Sequence, residues 1–159
     1  MAEIRVLGID PGLRTTGYGV IERVGGRVRI VSAGVIRSRA KTLETRILDI
    51  YTGVRETVEA FSPDSLALEA LYSHYKRPIT AVLMGHARGA ICLAAAMSEI
   101  PVASYSATKV KKLLTGNGRA PKDQMQRAIQ FELRLKTYPE PPDVADALAI
   151  ALCHLYTFR

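Results

Sequence analysis

The chain has 159 residues, of which 48% are hydrophobic and 23% are charged, and its formal net charge at pH 7 is +7. This length and composition are typical of one soluble globular domain, spanning residues 1–159, with a full hydrophobic core. The positive charge favours a polyanionic partner but does not identify one, because many basic proteins bind nothing acidic in particular.

Membrane and export signals are weak in this sequence. The longest apolar stretch, GAICLAAAM at 89–97, is too short to span a bilayer, and Glu3 and Arg5 interrupt the N-terminus of a would-be signal peptide. Cys92 and Cys153 lie in apolar segments without metal-site spacing, so we predict that both are core residues. We therefore expect a cytoplasmic protein without a membrane partner.

The first part of the chain predicts an antiparallel meander. Residues 4–10 form an apolar run that is typical of a buried strand. Two segments rich in β-branched residues follow at 15–24 and 27–37. Gly25-Gly26 lies between them and suits a tight hairpin turn.

The rest of the chain predicts alternating helices and strands. An apolar stripe predicts a helix over 42–61, with Thr42 as its N-cap. The remaining predicted elements are a strand at 64–70, a helix at 77–98, a strand at 100–105, helices at 106–115 and 121–135, and an apolar helix at 142–157. This order predicts an α/β fold with a mixed sheet, an antiparallel meander followed by parallel strands, flanked by helices on both faces.

Two carboxylates end apolar strands. Asp10 closes the first strand before a Pro-Gly turn, and Glu69 closes the segment SLALE. The carboxyl ends of strands in α/β sheets are the usual place for ligands. An ordinary alternative remains for each residue, since Asp10 can cap the turn and Glu69 can lie at an exposed strand end.

Two further carboxylates open the last predicted helix. Asp143 and Asp146 are three residues apart and therefore share one helix face. Asp143 can instead stabilise the helix N-terminus as a cap or through the helix dipole. Asp146 is followed by ALAIAL, which predicts a buried helix that gives Asp146 no solvent-exposed face.

Taken together, these acids predict a divalent-cation site. Carboxylates that share one cleft raise each other's pKa values unless cations bind between them. Hard oxygen ligands favour Mg²⁺ or Mn²⁺ over zinc. Two such ions about 4 Å apart can hold the attacking water and the leaving oxygen of a phosphodiester.

Two basic clusters indicate contact with nucleic acid. In LYSHYKRP at 71–78, aromatic residues that include His74 and Tyr75 alternate with cations, and in TKVKKLLTGNGRAPKDQ at 108–124 lysines precede a Gly-Asn-Gly break. Aromatic rings can stack on bases while cations contact phosphates, although an ordinary solvated surface explains each cluster as well. The residues predicted to contact DNA are Tyr72, Lys76, Arg77, Lys109, Lys111, Lys112, Arg119 and Lys122.

Five stretches carry a specific resemblance. They are GIDPGLRTTGYGVI, LEALY, GHARGAICLAAA, TKVKKLLTGNGRAPKDQM and DVADALAIALCH. In this order and spacing the chain resembles the RuvC family of bacterial Holliday-junction resolvases over essentially its whole length. The GHARGAICLAAA helix is predicted to serve both the core and an interface.

The resemblance implies a ribonuclease-H-like fold with a five-stranded sheet and an acidic site that uses two Mg²⁺ or Mn²⁺ ions. It implies metal ligands and catalytic acids at four positions, Asp10, Glu69, Asp143 and Asp146. Some relatives carry histidine at the position of Asp143. Tyr72 matches the aromatic residue that the family uses near the crossover, and Lys111 and Lys122 match its two important lysines. The neighbouring Lys109 and Lys112 leave the first of these lysine assignments open.

The resemblance also implies partners. Family members act as homodimers on four-way DNA in recombination and repair, make paired symmetric nicks, and work with the RuvA–RuvB branch-migration complex. An actin-like or sugar-kinase-like ATPase is disfavoured, because the chain has no second phosphate loop or second lobe beside DPGLRTTGYG. A non-catalytic junction-binding protein and a ribonuclease-H-like RNA nuclease remain as alternatives.

Overall fold

The computed structural model describes residues 3–71 and 76–158. Within them the strands are β1 (Ile4–Asp10), β2 (Thr15–Val24), β3 (Arg27–Arg37), β4 (Ser65–Glu69) and β5 (Val102–Tyr105). The helices are α1 (Leu43–Phe61), α2 (Pro78–Met97), α3 (Ala107–Thr115), α4 (Lys122–Leu133) and α5 (Pro142–Thr157). Each predicted element is present, and its ends lie within about two residues of the prediction, which is the usual uncertainty of helix and strand boundaries.

The strands form one mixed sheet in the order β3-β2-β1-β4-β5. β1 pairs antiparallel with β2, and β2 pairs antiparallel with β3. β4 runs parallel to β1 and to β5. In the β2–β3 turn, Gly25 and Gly26 have φ of 56° and 80°, a conformation that glycine adopts without strain. The predicted meander followed by parallel strands is confirmed.

The two faces of the sheet carry different helices. Leu7 and Ile9 pack with α1 and α2, whereas Val6 and Ala67 pack with α5. Successive side chains of a strand point to opposite faces. Asp10 therefore shares the α5 face with Val6, and Glu69 shares it with Ala67.

Glycines allow α5 to approach the sheet backbone closely. A Cβ at Gly8 would overlap the main-chain oxygen of Ala147, and a Cβ at Gly17 would overlap the main-chain oxygen of Asp143. Gly17 is also the pairing partner of Asp10 in the β1–β2 ladder. The first turn of α5 therefore lies directly over the end of β1.

A buried histidine fixes the other end of α5. His154 Nε2 lies 2.9 Å from Ser65 Oγ at the start of β4. Its Nδ1 lies 2.7 Å from the Tyr105 hydroxyl at the end of β5. Burial lowers the pKa of His154, so the ring is neutral at physiological pH and tethers the helix through hydrogen bonds.

Helix α2 has one buried and one exposed side. Ala87 and Ile91 are fully buried against the sheet, whereas Leu93 and Met97 are exposed. Among the described helices, α2 is the one whose length and composition would allow it to cross a membrane. It is longer than the apolar stretch on which the sequence prediction was based.

The prediction for the cysteines was half wrong. Cys153 is buried as predicted, but Cys92 is exposed. Cys92 lies in an alanine-rich helix that is apolar on every side. Hydrophobicity alone therefore could not show which side of this helix packs on the sheet.

Candidate active site

Two of the acids lie at equivalent ends of neighbouring parallel strands. Asp10 ends β1 and Glu69 ends β4, and the residues before them, Ile9 and Leu68, pair with each other. Neighbouring strands are about 4.8 Å apart, so the two carboxylates emerge side by side on the α5 face. The predicted position of both carboxylates at strand ends is confirmed, and their role as ligands stays a prediction.

The other two acids come from the start of α5. The N-cap of this helix is Pro141, without a side-chain cap, and Asp143 lies in the first turn. The Asp143 carboxyl group lies near enough to Asp10 to help raise the pKa of Asp10. Asp143 is therefore not the cap of α5, whereas its position in the first turn agrees with the helix-dipole alternative.

Asp146 is exposed, although its neighbours Ala145 and Ala147 are fully buried. The prediction that the buried helix leaves Asp146 no solvent-exposed face was wrong. The reason is geometric, since Asp146 opens onto a cavity that it lines together with Glu69. Asp146 is thereby accessible to a ligand from outside.

Burial and mutual repulsion shift the protonation of these acids. The pKa of Asp10 is raised to about 8, chiefly by burial and then by the charges of Asp146, Glu69 and Asp143. Burial and the charge of Asp146 raise the pKa of Glu69. Although the Asp146 residue is exposed, the partial loss of solvent around its carboxyl group and the charge of Asp143 raise the pKa of Asp146. Carboxylates whose charges raise the pKa values of their neighbours repel one another, and a bound divalent cation would relieve that repulsion.

The donor set suits a hard divalent cation. Among residues 3–71 and 76–158, no three His, Cys, Asp or Glu side chains already surround one point as the ligands of an ion. The charges of Asp146, Glu69 and Asp143 nevertheless all act on Asp10, and carboxylate oxygens are the ligands that Mg²⁺ and Mn²⁺ prefer. The chemistry of the cluster therefore fits such an ion.

Two lysines provide cations beside the acids. The charge of Lys111 lowers the pKa of Glu69 and of Asp146, and the charge of Lys122 lowers that of Asp146. Both lysines were singled out in the sequence. In the structure they are the lysines that counter the repulsion among the acids.

The neighbouring basic residues are placed differently. The Nζ of Lys109 lies 5.1 Å from the centroid of the Tyr105 ring. Lys112 is exposed and is not among the cations that lower the pKa of Glu69 or Asp146. Arg119 is exposed in the turn after α3, where its main-chain N–H donates to Asn117 Oδ1 at 3.0 Å. Of the basic residues in 108–124, Lys111 and Lys122 are thus the ones whose charges lower the pKa values of Glu69 or Asp146.

Only part of the predicted aromatic and basic cluster at 71–78 lies among the described residues. Tyr72, His74 and Tyr75 lie outside the described residues. Lys76 and Arg77 are exposed immediately before α2. Their roles as DNA contacts stay predictions.

A cavity of about 250 Å³ opens beside the acids. Glu69, Asp146 and Lys111 line its polar side, and Val110 and Met125 line its apolar side. A phosphodiester placed here would meet carboxylates and a cation together, which is the environment that metal-assisted phosphodiester hydrolysis requires.

Sequence reasoning assigned no role to Arg88, although the structure connects it to the site. Its guanidinium donates to the main-chain oxygen of Glu69 and, at 3.3 Å, to Ser104 Oγ. The available signal was a lone cation in the apolar helix segment GHARGAICLAAA. A cation in an apolar helix draws attention to Arg88, but the sequence does not show that the Glu69 main-chain oxygen is its acceptor.

Comparison with known proteins gives a consistent match. A family model described as "Crossover junction endodeoxyribonuclease RuvC" matches residues 6–154. The protein of that name from Rhodopirellula baltica is 57% identical over 152 residues, which cover 95% of this chain and 85% of the relative. The one from Chloroflexus aggregans is 46% identical over 155 residues, covering 97% of this chain and 94% of the relative.

Solved structures agree with the sequence match. T. thermophilus RuvC in complex with Holliday junction substrate superposes with a TM-score of 0.91 at 34% identity, covering 97% of this chain and 94% of that one. The Fowlpox virus resolvase in complex with Holliday junction DNA superposes with a TM-score of 0.58 at 15% identity, which shows likeness of fold alone. The ribonuclease-H-like fold expected from the sequence is confirmed.

Proposed function

We propose that this chain, which belongs to the RuvC family of crossover junction endodeoxyribonucleases, resolves four-way DNA junctions. It does so by paired, symmetric cuts that use two divalent metal ions. It is a nuclease that hydrolyses phosphodiester bonds. The observation that carries the proposal is that the charges of three carboxylates raise the pKa of Asp10, and that Lys111 and Lys122 lie near this cluster. The junction complex of T. thermophilus RuvC supports four-way DNA as the substrate.

The four acids have the chemistry to hold the ions. We assign Asp10 and Glu69 to one ion, and Asp10 with Asp143 or Asp146 to the other. When bound, Mg²⁺ or Mn²⁺ supplies an activated water and neutralises charge on the departing 3′-oxygen. Asp10, whose pKa is raised to about 8, would have to be ionised to hold an ion, because ligating carboxylates must be deprotonated.

The lysines act on the DNA rather than on the ions. Lys111 and Lys122 lie near enough to the acids to change their pKa values. Each therefore places a positive charge where the scissile phosphate would lie, and holds the backbone against the carboxylates. Tyr72, Lys76, Arg77, Lys109, Lys112 and Arg119 are proposed as contacts with the junction arms.

A homodimer is part of the proposal. The exposed side of α2 presents Ile79, Val82, Leu93 and Met97 with exposed fractions of 58%, 55%, 55% and 59%. Gly89 lies between them with open space around it. A two-fold contact through this stripe would bury it, and would give two active sites that match the two-fold symmetry of a junction. RuvA–RuvB is the proposed partner, in recombination and repair in the cytoplasm.

The test is incubation with a labelled, immobile four-way junction, with and without Mg²⁺ or Mn²⁺. We expect paired, symmetric, ligatable nicks that require the metal. Asp10→Asn and Asp146→Asn should abolish cutting while junction binding survives. Asp123→Asn is the matched control, since Asp123 is exposed on α4 and pairs with Arg127 at 3.0 Å.

Two outcomes would favour the alternatives. Tight junction binding without cutting under any metal condition would point to a non-catalytic junction-binding protein. Faster cleavage of an RNA–DNA hybrid than of the junction would point to an RNA nuclease.

A further inference from the structure

An arginine reaches the active-site strand from the opposite face of the sheet. Arg88 lies on α2 at the edge of its buried side, close to Ala87 and Ile91, which are fully buried. Its guanidinium donates to the main-chain oxygen of Glu69 and to Ser104 Oγ. Because core packing holds α2 on the sheet, Arg88 anchors the end of β4 to a fixed element.

The anchor lies where the sheet ends. Leu68 pairs with Ser104, so the guanidinium bridges the last residue of β4 and the second-to-last residue of β5. One residue further on, the Ala70 N–H donates to the Tyr105 carbonyl at 2.8 Å. Beyond that bond the chain leaves the sheet. Arg88 therefore holds the final backbone group of β4 from the α2 face while the Glu69 carboxylate stands on the α5 face.

The chemistry of the side chain suits this task. A guanidinium is a planar fork whose donors bind two acceptors at once, which a lysine ammonium on a flexible stem does less well. Hydrogen bonds from a charged donor are stronger than neutral ones. The charge of Arg88 also lowers the pKa of Glu69 and so opposes the effect of burial and of Asp146.

We propose that Arg88 is a positioning residue for cutting: by holding the end of β4 it fixes the Glu69 carboxylate, without contacting the DNA or the reacting atoms. This inference rests on the proposed function of the acid cluster. It also connects that cluster to α2, the helix that carries the proposed dimer stripe. The proposal assigns a role to Arg88, the one arginine in the segment GHARG.

The first test is the kinetics of Arg88→Gln. We expect the cutting rate at saturating junction to fall on the order of 10- to 100-fold, because small misplacements of a catalytic group have effects of this size. Junction affinity without divalent ions should stay within about twofold of wild type, since only an interaction used in the reaction is lost. The Mn²⁺ concentration that gives half of the maximal rate should rise.

The second test needs neither metal nor activity. Amide hydrogen exchange reports local opening of the backbone. In Arg88→Gln the Ala70 amide should exchange several-fold faster, because its bond to Tyr105 lies beside the lost anchor. The Ala67 amide, in the middle of β4, should exchange as in wild type.

Matched variants separate positioning from folding. Arg88→Lys should cut at an intermediate rate, since an ammonium replaces the charge but not the fork. Arg55→Gln is the control, because Arg55 also makes two side-chain hydrogen bonds, to Tyr51 and Glu59 on its own helix. It should cut like wild type.

The outcomes are distinguishable. A wild-type protein that does not cut junctions would overturn the proposed function. If wild type cuts, the inference about Arg88 fails when Arg88→Gln cuts equally fast, or when its rate falls only in proportion to junction binding or to the folded fraction. Unchanged exchange at Ala70 would also overturn it.

Discussion

Asp10 is the residue at which the repulsion of the site is concentrated. It is the most strongly shifted of the acids, with a pKa raised to about 8 by burial and by three neighbouring carboxylates. With a pKa of about 8, it is largely protonated near neutral pH when no cation is bound. Cation binding at this site is therefore coupled to proton release and strengthens as pH rises.

The same shift predicts how stability depends on pH when a chelator is present. The pKa of Asp10 is about 8 in the folded protein, against an ordinary value of 3.8. Between these values the folded state binds more protons than the unfolded state, so Asp10 makes the wild-type protein less stable as pH rises. Asparagine cannot ionise and removes this loss.

We expect the difference in free energy of unfolding between Asp10→Asn and wild type to change in favour of the variant as pH rises from about 5 to about 8. The expected change is at least ~1 kcal/mol, or ~2–4 °C in Tm. Thermal unfolding in the presence of EDTA measures it. Asp123→Asn is the control and should show no such change. A difference in unfolding free energy that is the same at both pH values would contradict the protonation of Asp10.

Lys111 and Lys112 offer a test between neighbours. Lys111 lowers the pKa of both Glu69 and Asp146, whereas Lys112 is exposed and does not. Lys111→Gln should reduce cutting at least about tenfold, since it removes a cation that faces the reacting phosphate. It should also move the acidic limb of the pH–rate profile to higher pH, because the carboxylates lose a stabilising charge. Lys112→Gln should do neither, and equal effects would remove Lys111 from the site.

At the scale of elements, the position of α5 decides whether the site forms. It carries Asp143 in its first turn and Asp146 three residues later, and it can lie over the sheet only because Gly8 and Gly17 have no side chains. The same close approach brings the Asp143 carboxyl group to Asp10. The packing of α5 on the glycine backbone therefore sets the distance between Asp143 and Asp10 in the proposed site.

Gly17→Ala tests this contact. The new Cβ would overlap the Asp143 main chain, so α5 must move outward, with a cost to stability of about 1–3 kcal/mol. We expect cutting to fall more than stability predicts, by on the order of 100-fold, because Asp143 moves away from Asp10. Gly34→Ala in β3 is the control, since its Cβ would meet only the Tyr18 side chain, at 3.1 Å. Full cutting by Gly17→Ala would show that the close approach is not needed.

The elements themselves followed from local sequence rules. Asp10 and Glu69 could be placed because an apolar run that ends in a carboxylate marks a strand end, and parallel strands end at one edge. Asp143 and Asp146 could be placed on one face because they are three residues apart. These rules act over a few residues, and for that reason they are visible in a sequence.

What could not be predicted depends on packing between distant segments. The exposure of Asp146 depends on a cavity formed with Glu69 and Lys111, which no periodicity shows. The role of Arg88 depends on a main-chain acceptor, and every residue offers one. Cys92 was misplaced because an alanine-rich helix has no contrast between its sides.

At the scale of the whole molecule, the sheet separates two tasks. The acids and Lys111 lie on the α5 side, and the apolar stripe of α2 lies on the other side. A dimer formed through α2 would therefore leave both acid clusters uncovered. Two sites held in a fixed relation by one interface can cut two strands of a symmetric junction in concert.

Replacing Leu93 and Met97 by glutamate tests this arrangement. Both side chains are more than half exposed in the single chain, so the change should leave its folding intact, while burying two charges in a two-fold interface should prevent association. Sedimentation equilibrium should give twice the 17.4 kDa chain mass for wild type and a single chain for the variant. The variant should also lose paired cuts and leave junctions nicked on one strand.

Phe131→Glu is the matched control for that dimer test, because Phe131 is 82% exposed and lies on α4 rather than on α2. It should sediment as wild type and make paired cuts. A Leu93→Glu/Met97→Glu protein that still sediments as a dimer would place the interface elsewhere. A monomeric variant that still makes paired cuts would show instead that the junction itself brings two chains together, so that the contact between subunits adds nothing to the timing of the cuts.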